Sequence, residues 1–241
     1  MNGPLRPLTV VQLVPALQGG GAERSTLEIG AALVRGGHRS IVVSAGGRLV
    51  AALVAAGSEH VAMDLVRKTP LAFRHVITLR RLLKRWRPDV VHARSRLPAW
   101  VGELALRGWG AGRPHFVTTV HGLNSPGCWS AVMTRGERVI CVSETVRNYV
   151  LRHYPDVPES RLTVIPRGID AEERHQRCVV VRPIQCPVEI QCLTHVEQRA
   201  VVLTHLVQDV TQPRVGIREV DTAADTPHGF HRLARPVERA G

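Results

Sequence analysis

Along the first two-thirds of the chain, apolar positions alternate between two patterns. Short runs rich in β-branched residues predict strands at residues 8–14 (LTVVQLV), 40–44 (SIVVS), 60–63, 89–92 (DVVH), 116–120 (FVTTV), 138–142 (RVICV) and 162–165 (LTVI). Between them, apolar residues recur three and four apart, which predicts helices. In residues 22–35 the stripe is Leu27, Ala31 and Val34, and Gly36-Gly37 ends the helix. A short alanine-rich helix is expected at 48–56. A longer one, Leu71 to Arg87, is expected at 71–87, opened by Thr69-Pro70 and stopped by Pro88. Its apolar face is Phe73, Val76, Ile77, Leu79, Leu82, Leu83 and Trp86. Further helices are expected at 99–107 and at 143–154, with Ser143 as N-cap.

Strands that are apolar on both faces and alternate with helices predict an α/β fold: a single Rossmann-like parallel sheet with helices on both faces. Function in such a sheet collects outside the carboxyl ends of the strands. That edge is expected to hold residues 19–23, 94–96, 121–122 and 143–144. After Asp170 the alternation stops, prolines scatter, and no glycine-rich turn joins a strand to a helix. The expected organisation is a domain over residues 1–170 and an irregular C-terminal tail over 171–241, with no internal repeat.

Composition narrows the class. No apolar run approaches the roughly 18 residues needed to cross a bilayer, and the N-terminus lacks the pattern of a secretory signal. The five cysteines are an odd number in a chain of 241 residues, which argues against a disulfide framework. A cytoplasmic location is the expectation. The net charge of +12 resides entirely in residues 1–170, where 23 Lys and Arg face 11 Asp and Glu; the tail holds nine of each. Such an excess attracts phosphate-bearing ligands or an anionic membrane surface. All but two of the basic residues are arginine, a bias that nucleotide composition of a genome can also produce.

Several groups could bear chemistry. The turn Gly19-Gly20-Gly21-Ala22-Glu23 joins the first strand to the first helix, where glycines let backbone N–H groups approach a phosphate at a helix N-terminus. It does not fit G-x-G-x-x-G, and a tight turn without a ligand reads equally well. His121 follows a strand's carboxyl end, where an imidazole can meet developing negative charge or hold a hydroxyl; a surface-loop histidine is the alternative. Arg94-Ser95-Arg96 places two guanidinium groups near the same edge, suited to phosphate or carboxylate or to plain solvation. The 71–87 helix bears Arg74, Arg80, Arg81, Lys84, Arg85 and Arg87 around its apolar face, which suits either a membrane surface or a packed helix with a solvated basic side. Cys178, Cys186, Cys192 and His195 lack standard zinc spacing, as do His228 and His231, so no metal site is expected. No G-x-S-x-G or Walker A sequence is present.

Five stretches, in order and spacing, resemble the N-terminal domain of family 4 glycosyltransferases, which have the two-domain GT-B architecture. They are VVQLVPALQGGGAERSTLEIGAALVRGGH, RPDVVHARSRLPAW, FVTTVHG, MTRGERVICVSETV and RLTVIPRGID, together covering residues 8–170 or so. The resemblance implies retaining transfer of a sugar from a nucleotide-sugar to a lipid-linked or polysaccharide acceptor, with no cofactor and no required metal. It implies that Gly20 and Gly21 approach the donor diphosphate and that His121 contacts the transferring sugar. Arg94, Ser95 and Arg96 fall on the acceptor side. Nucleic acid is not an expected partner; an anionic membrane surface meeting the 71–87 helix is.

Family members continue past the equivalent of PRGID into a second domain that supplies further donor contacts, and nothing in residues 171–241 matches it. The expectation is therefore an incomplete enzyme, inactive as this chain, with a tail produced by a frameshift or gene-model error, or else a split enzyme needing a partner. Two other classes fit the architecture: a nucleotide-sugar epimerase half, and a non-catalytic membrane-peripheral module. The HARSR and PRGID stretches favour the transferase.

Overall fold

The structure is a computed structural model, which describes residues 6–67 and 74–166. Strands β1 (Thr9–Leu13), β2 (Arg39–Ser44), β3 (Glu59–Ala62), β4 (Val90–Ala93), β5 (His115–Val120), β6 (Arg138–Cys141) and β7 (Leu162–Val164) form one sheet in the order β3-β2-β1-β4-β5-β6-β7. Every neighbouring pair is parallel. The connections include helices α1 (Gly21–Arg35), α2 (Val50–Ala55), α3 (Arg74–Trp86), α4 (Arg96–Leu106) and α5 (Glu144–His153). The expected α/β class, with one Rossmann-like parallel sheet, is the observed one.

Period-two alternation divides the core. Val11, Leu13, Ile41, Val43, Val91 and Ala93 pack in one cluster with Leu79 and Leu83 of α3, Val101 of α4, and Val146 and Val150 of α5. Val10, Val90, Val117 and Ile140 alternate with these and cluster with Leu33 of α1. Val42 packs with Leu53 of α2 and Leu27 of α1. Both faces of the central strands are therefore buried, which is why they read as continuous apolar runs.

The chain winds outward from β1 to β3, then returns to lay β4 on the free side of β1. That reversal places the loops after β1 and β4 side by side and opens a crevice between them.

Several element ends differ from the sequence pattern by a residue or more, and two of them have a clear local cause. α4 begins at Arg96 rather than Ala99. Pro98 sits in its first turn, where the missing N–H has no helical acceptor to lose. α3 ends at Trp86, and Arg87 takes a left-handed conformation with φ 48°. Pro88 disfavours the α region for the residue before it, so the helix cannot continue. The first turn of the expected 71–87 helix, the tail after residue 166, and Cys178, Cys186, Cys192, His195, His228 and His231 lie outside the described residues. No described helix is long and apolar enough to cross a membrane.

Candidate functional site

The glycine turn ends at the N-cap of α1, Gly20. Gly19 has φ 134°, a conformation that side chains rarely tolerate. The Glu23 carboxylate reaches back and accepts the Gly19 N–H at 2.6 Å and the Gly20 N–H at 3.1 Å, the reciprocal half of a capping box. The ladder of α1 opens with the Arg24 N–H on the Gly20 carbonyl at 2.9 Å. The N–H groups of Gly21 and Ala22 precede it, at the positive end of the helix dipole.

β4 delivers Arg94 against this same helix. Its side chain is 4% exposed, with Nη1 donating to Gln12 Oε1 at 3.4 Å and Nη2 donating to Ser25 Oγ. Gln12 in turn donates to the Thr26 carbonyl at 3.2 Å, and Ser25 to the Ala22 carbonyl at 3.1 Å. One guanidinium thus ties β4, β1 and the first turns of α1 together. The alternation of β4 explains this: Ala93 points to the α3–α5 side, so His92 and Arg94 point to the α1 side.

β5 brings the third group. His92 is buried, and its Nε2 lies 2.6 Å from Thr119 Oγ1. Burial, then the nearby charges of Arg94 and His121, hold its imidazole well below the usual histidine range, so it is neutral at pH 7. His121 is half-buried two residues beyond Thr119. Gln12, His92, Arg94, Thr119 and His121 therefore form a polar array across the carboxyl ends of β1, β4 and β5, the three central neighbours of the sheet.

Ser95 is the N-cap of α4, but its hydroxyl makes no capping hydrogen bond. Arg96 is half-buried, with Nη1 3.5 Å from Ser130 Oγ in a short 3-10 helix, Ser130–Thr134. The loop after His121 is pinned at both ends. Tyr149 Oη donates to the Asn124 carbonyl, and Trp100 Nε1 donates to the Trp129 carbonyl at 3.0 Å. Ser143 caps α5 as expected, accepting the Val146 N–H at 3.2 Å.

The structure thus brings Gly20, Gly21 and Arg94 into one connected group, sets His121 beside it through His92, and turns Arg96 toward Ser130. Chemically, this edge offers backbone donors and a helix dipole to an anion, and imidazole and hydroxyl groups to sugar-like hydroxyls. Sequence reasoning missed the Glu23 carboxylate, the His92–Thr119 pair and Arg48, whose guanidinium lies against Gly19. Glu23, three residues past Gly20, had a readable signal in capping-box spacing. The other two are tertiary contacts with none.

The sequence model of the family described as Glycosyltransferase Family 4 matches residues 19–173. No curated protein matches the chain. A solved glycosyltransferase from Rickettsia africae ESF-5 is similar at 31% identity and a TM-score of 0.59, over 73% of this chain and 49% of that one. Anabaena Alr3699/HepE, solved in complex with UDP and glucose, is 17% identical with a TM-score of 0.52, over 72% and 50%. A UDP-N-acetylglucosamine 2-epimerase assigned in Listeria monocytogenes shares the fold at 8% identity and a TM-score of 0.51, over 67% and 45%. The chain spans about half the length of these structures.

Proposed function

The chain belongs to glycosyltransferase family 4, and from that premise we propose that it serves retaining transfer of a sugar from a nucleotide-sugar to a lipid-linked or polysaccharide acceptor. Residues 1–170 act as the acceptor-side domain, in the cytoplasm. The observation that supports this reading best is the convergence of the glycine turn, Arg94 and His121 at the carboxyl ends of β1, β4 and β5. A nucleotide and a sugar are also what the Anabaena neighbour was solved with.

The site chemistry follows from the charge that develops. As the bond from the anomeric carbon to the diphosphate breaks, negative charge grows on the leaving oxygen. The N–H groups of Gly21 and Ala22 and the dipole of α1 suit that charge, with Gly20 giving close approach. His121 holds the transferring sugar. Ser95 and Arg96 face the acceptor, and Arg94 serves them from below by fixing β4 against α1. No metal is needed in this scheme.

The exposed cations Arg74, Arg81, Lys84, Arg85 and Arg87, beside Ile77 at 59% exposure, suit contact with an anionic membrane that holds a lipid-linked acceptor.

The test is release of nucleoside diphosphate from a panel of nucleotide-sugars. It is run with the chain alone and with the donor-gripping half of a full-length family member added. His121→Ala is expected to slow turnover by about 100-fold or more. Equal turnover in wild type and variant overturns the role of His121. No turnover in either arm for any donor overturns the transferase reading.

A further inference from the structure

Arg48 lies in the loop between β2 and α2, 30 residues from Gln18 in sequence, yet its guanidinium packs on the glycine turn. Nε donates to the Gln18 carbonyl. A Cβ on Gly19 would stand 2.5 Å from Nη2 and 3.2 Å from Cζ, so the guanidinium occupies the space a side chain there would need. Only glycine at position 19 admits this contact.

The loop holding Arg48 has a fixed base. Backbone hydrogen bonds lace it to the loop after β1: Val14 N–H to Val43 O at 3.1 Å, Ala45 N–H to Pro15 O at 2.9 Å, Leu17 N–H to Gly46 O at 2.8 Å and Leu49 N–H to Leu17 O at 2.9 Å. Gly47, at φ 142°, permits the approach, since a Cβ there would lie 2.5 Å from the Leu17 carbonyl. Arg48 itself remains exposed. On the other side of the turn the Glu23 carboxylate holds the Gly19 and Gly20 N–H groups. A phosphate arriving at this turn therefore meets a fixed negative charge, and a cation is needed close by to offset it.

We propose that Arg48 is a phosphate-binding residue of this site: Nε anchors it to Gln18, and its terminal nitrogens receive the donor's diphosphate beside the first turn of α1. The proposal rests on the reading that the glycine turn meets a diphosphate. Arginine suits the task because its planar fork can hold one acceptor through Nε and still offer donors to phosphate oxygens.

The experiment is titration of the full 241-residue chain with inorganic pyrophosphate. Two-dimensional NMR of the amides of Gly19, Gly20, Gly21 and Ala22 reads binding, and the thermal midpoint checks folding. Wild type is expected to show saturable shifts at these amides. Arg48→Gln is expected to weaken pyrophosphate about tenfold or more at an unchanged thermal midpoint, with Arg48→Lys between the two, as a point charge without the fork. Equal affinity in wild type and R48Q overturns the role of Arg48 and leaves the phosphate reading of the turn standing. Absence of any shift in wild type overturns both, since the guanidinium then faces no phosphate.

Discussion

At the scale of single residues, the sheet interior sets protonation. The His92 imidazole titrates near 6.5 in an unfolded chain, and burial pushes it well below that value in the fold. Above about pH 6.5 neither state holds the proton, and stability is at its full value. Below that pH the unfolded chain binds a proton that the folded chain refuses. Stability therefore falls with falling pH, by up to about 1.4 kcal/mol per unit from this one group, until the folded value is reached. His38 and His60 are lowered by partial burial in the same direction. Urea midpoints at pH 7.5 and 5.5 should show this loss in wild type and a shallower one in His92→Gln. An identical loss in both places its source elsewhere. Burial also pushes the Cys141 thiol up to about 11, whereas Cys128 is exposed. Because the thiolate is the reacting form, iodoacetamide at pH 8 should label Cys128 and spare Cys141 in the folded chain, as peptide mass spectrometry would read.

At the scale of elements, α3 shows how packing divides a uniform charge pattern. Its cations look alike in sequence, but Arg80 is committed to α4. Nη1 donates to the carbonyls of Ala105 at 3.0 Å and Arg107 at 2.6 Å, Nη2 donates to Gly108 O at 3.1 Å, and the guanidinium lies 5.6 Å from the Trp109 ring centroid. The last carbonyls of a helix have no partner inside it, and a cation there also meets the negative end of the dipole. Arg80→Ala is expected to cost about 1–2 kcal/mol in urea denaturation, allowing for partial solvent screening, against less than about 0.5 kcal/mol for Arg81→Ala. Reversing Arg81, Lys84 and Arg85 to Glu should instead abolish sedimentation with anionic vesicles while leaving stability nearly unchanged. Retained vesicle binding would remove the membrane surface from the proposal.

At the scale of the whole molecule, Arg94 is where separate stretches of chain become one site. It links residues 82 and 69 positions away in sequence, Gln12 and Ser25, across the crevice where the winding of the sheet reverses. Arg94→Gln should therefore cost about 2–3 kcal/mol, the scale of lost hydrogen bonds to a buried charge, and raise the His92 titration toward its ordinary value. Circular dichroism on urea and histidine-resolved NMR titration measure the two effects. The order of elements, the α/β class and the edge that holds the candidate groups were readable from the chain alone. Apolar period reports burial, and a strand buried on both faces leaves an unbroken run such as LTVVQLV. So was the position of the glycine turn, because a strand-to-helix turn is a local event. The partners of each charge were not readable. HARSR presents Arg94 and Arg96 as equals, yet one is 4% exposed under α1 and the other reaches Ser130. Arg48 and Arg80 gave no sign of the acceptors they reach, which lie 25 to 30 residues away. Local pattern determined which elements this sequence forms; the order in which β1, β4 and β5 pair, a long-range choice made by packing, decided which side chains share a site.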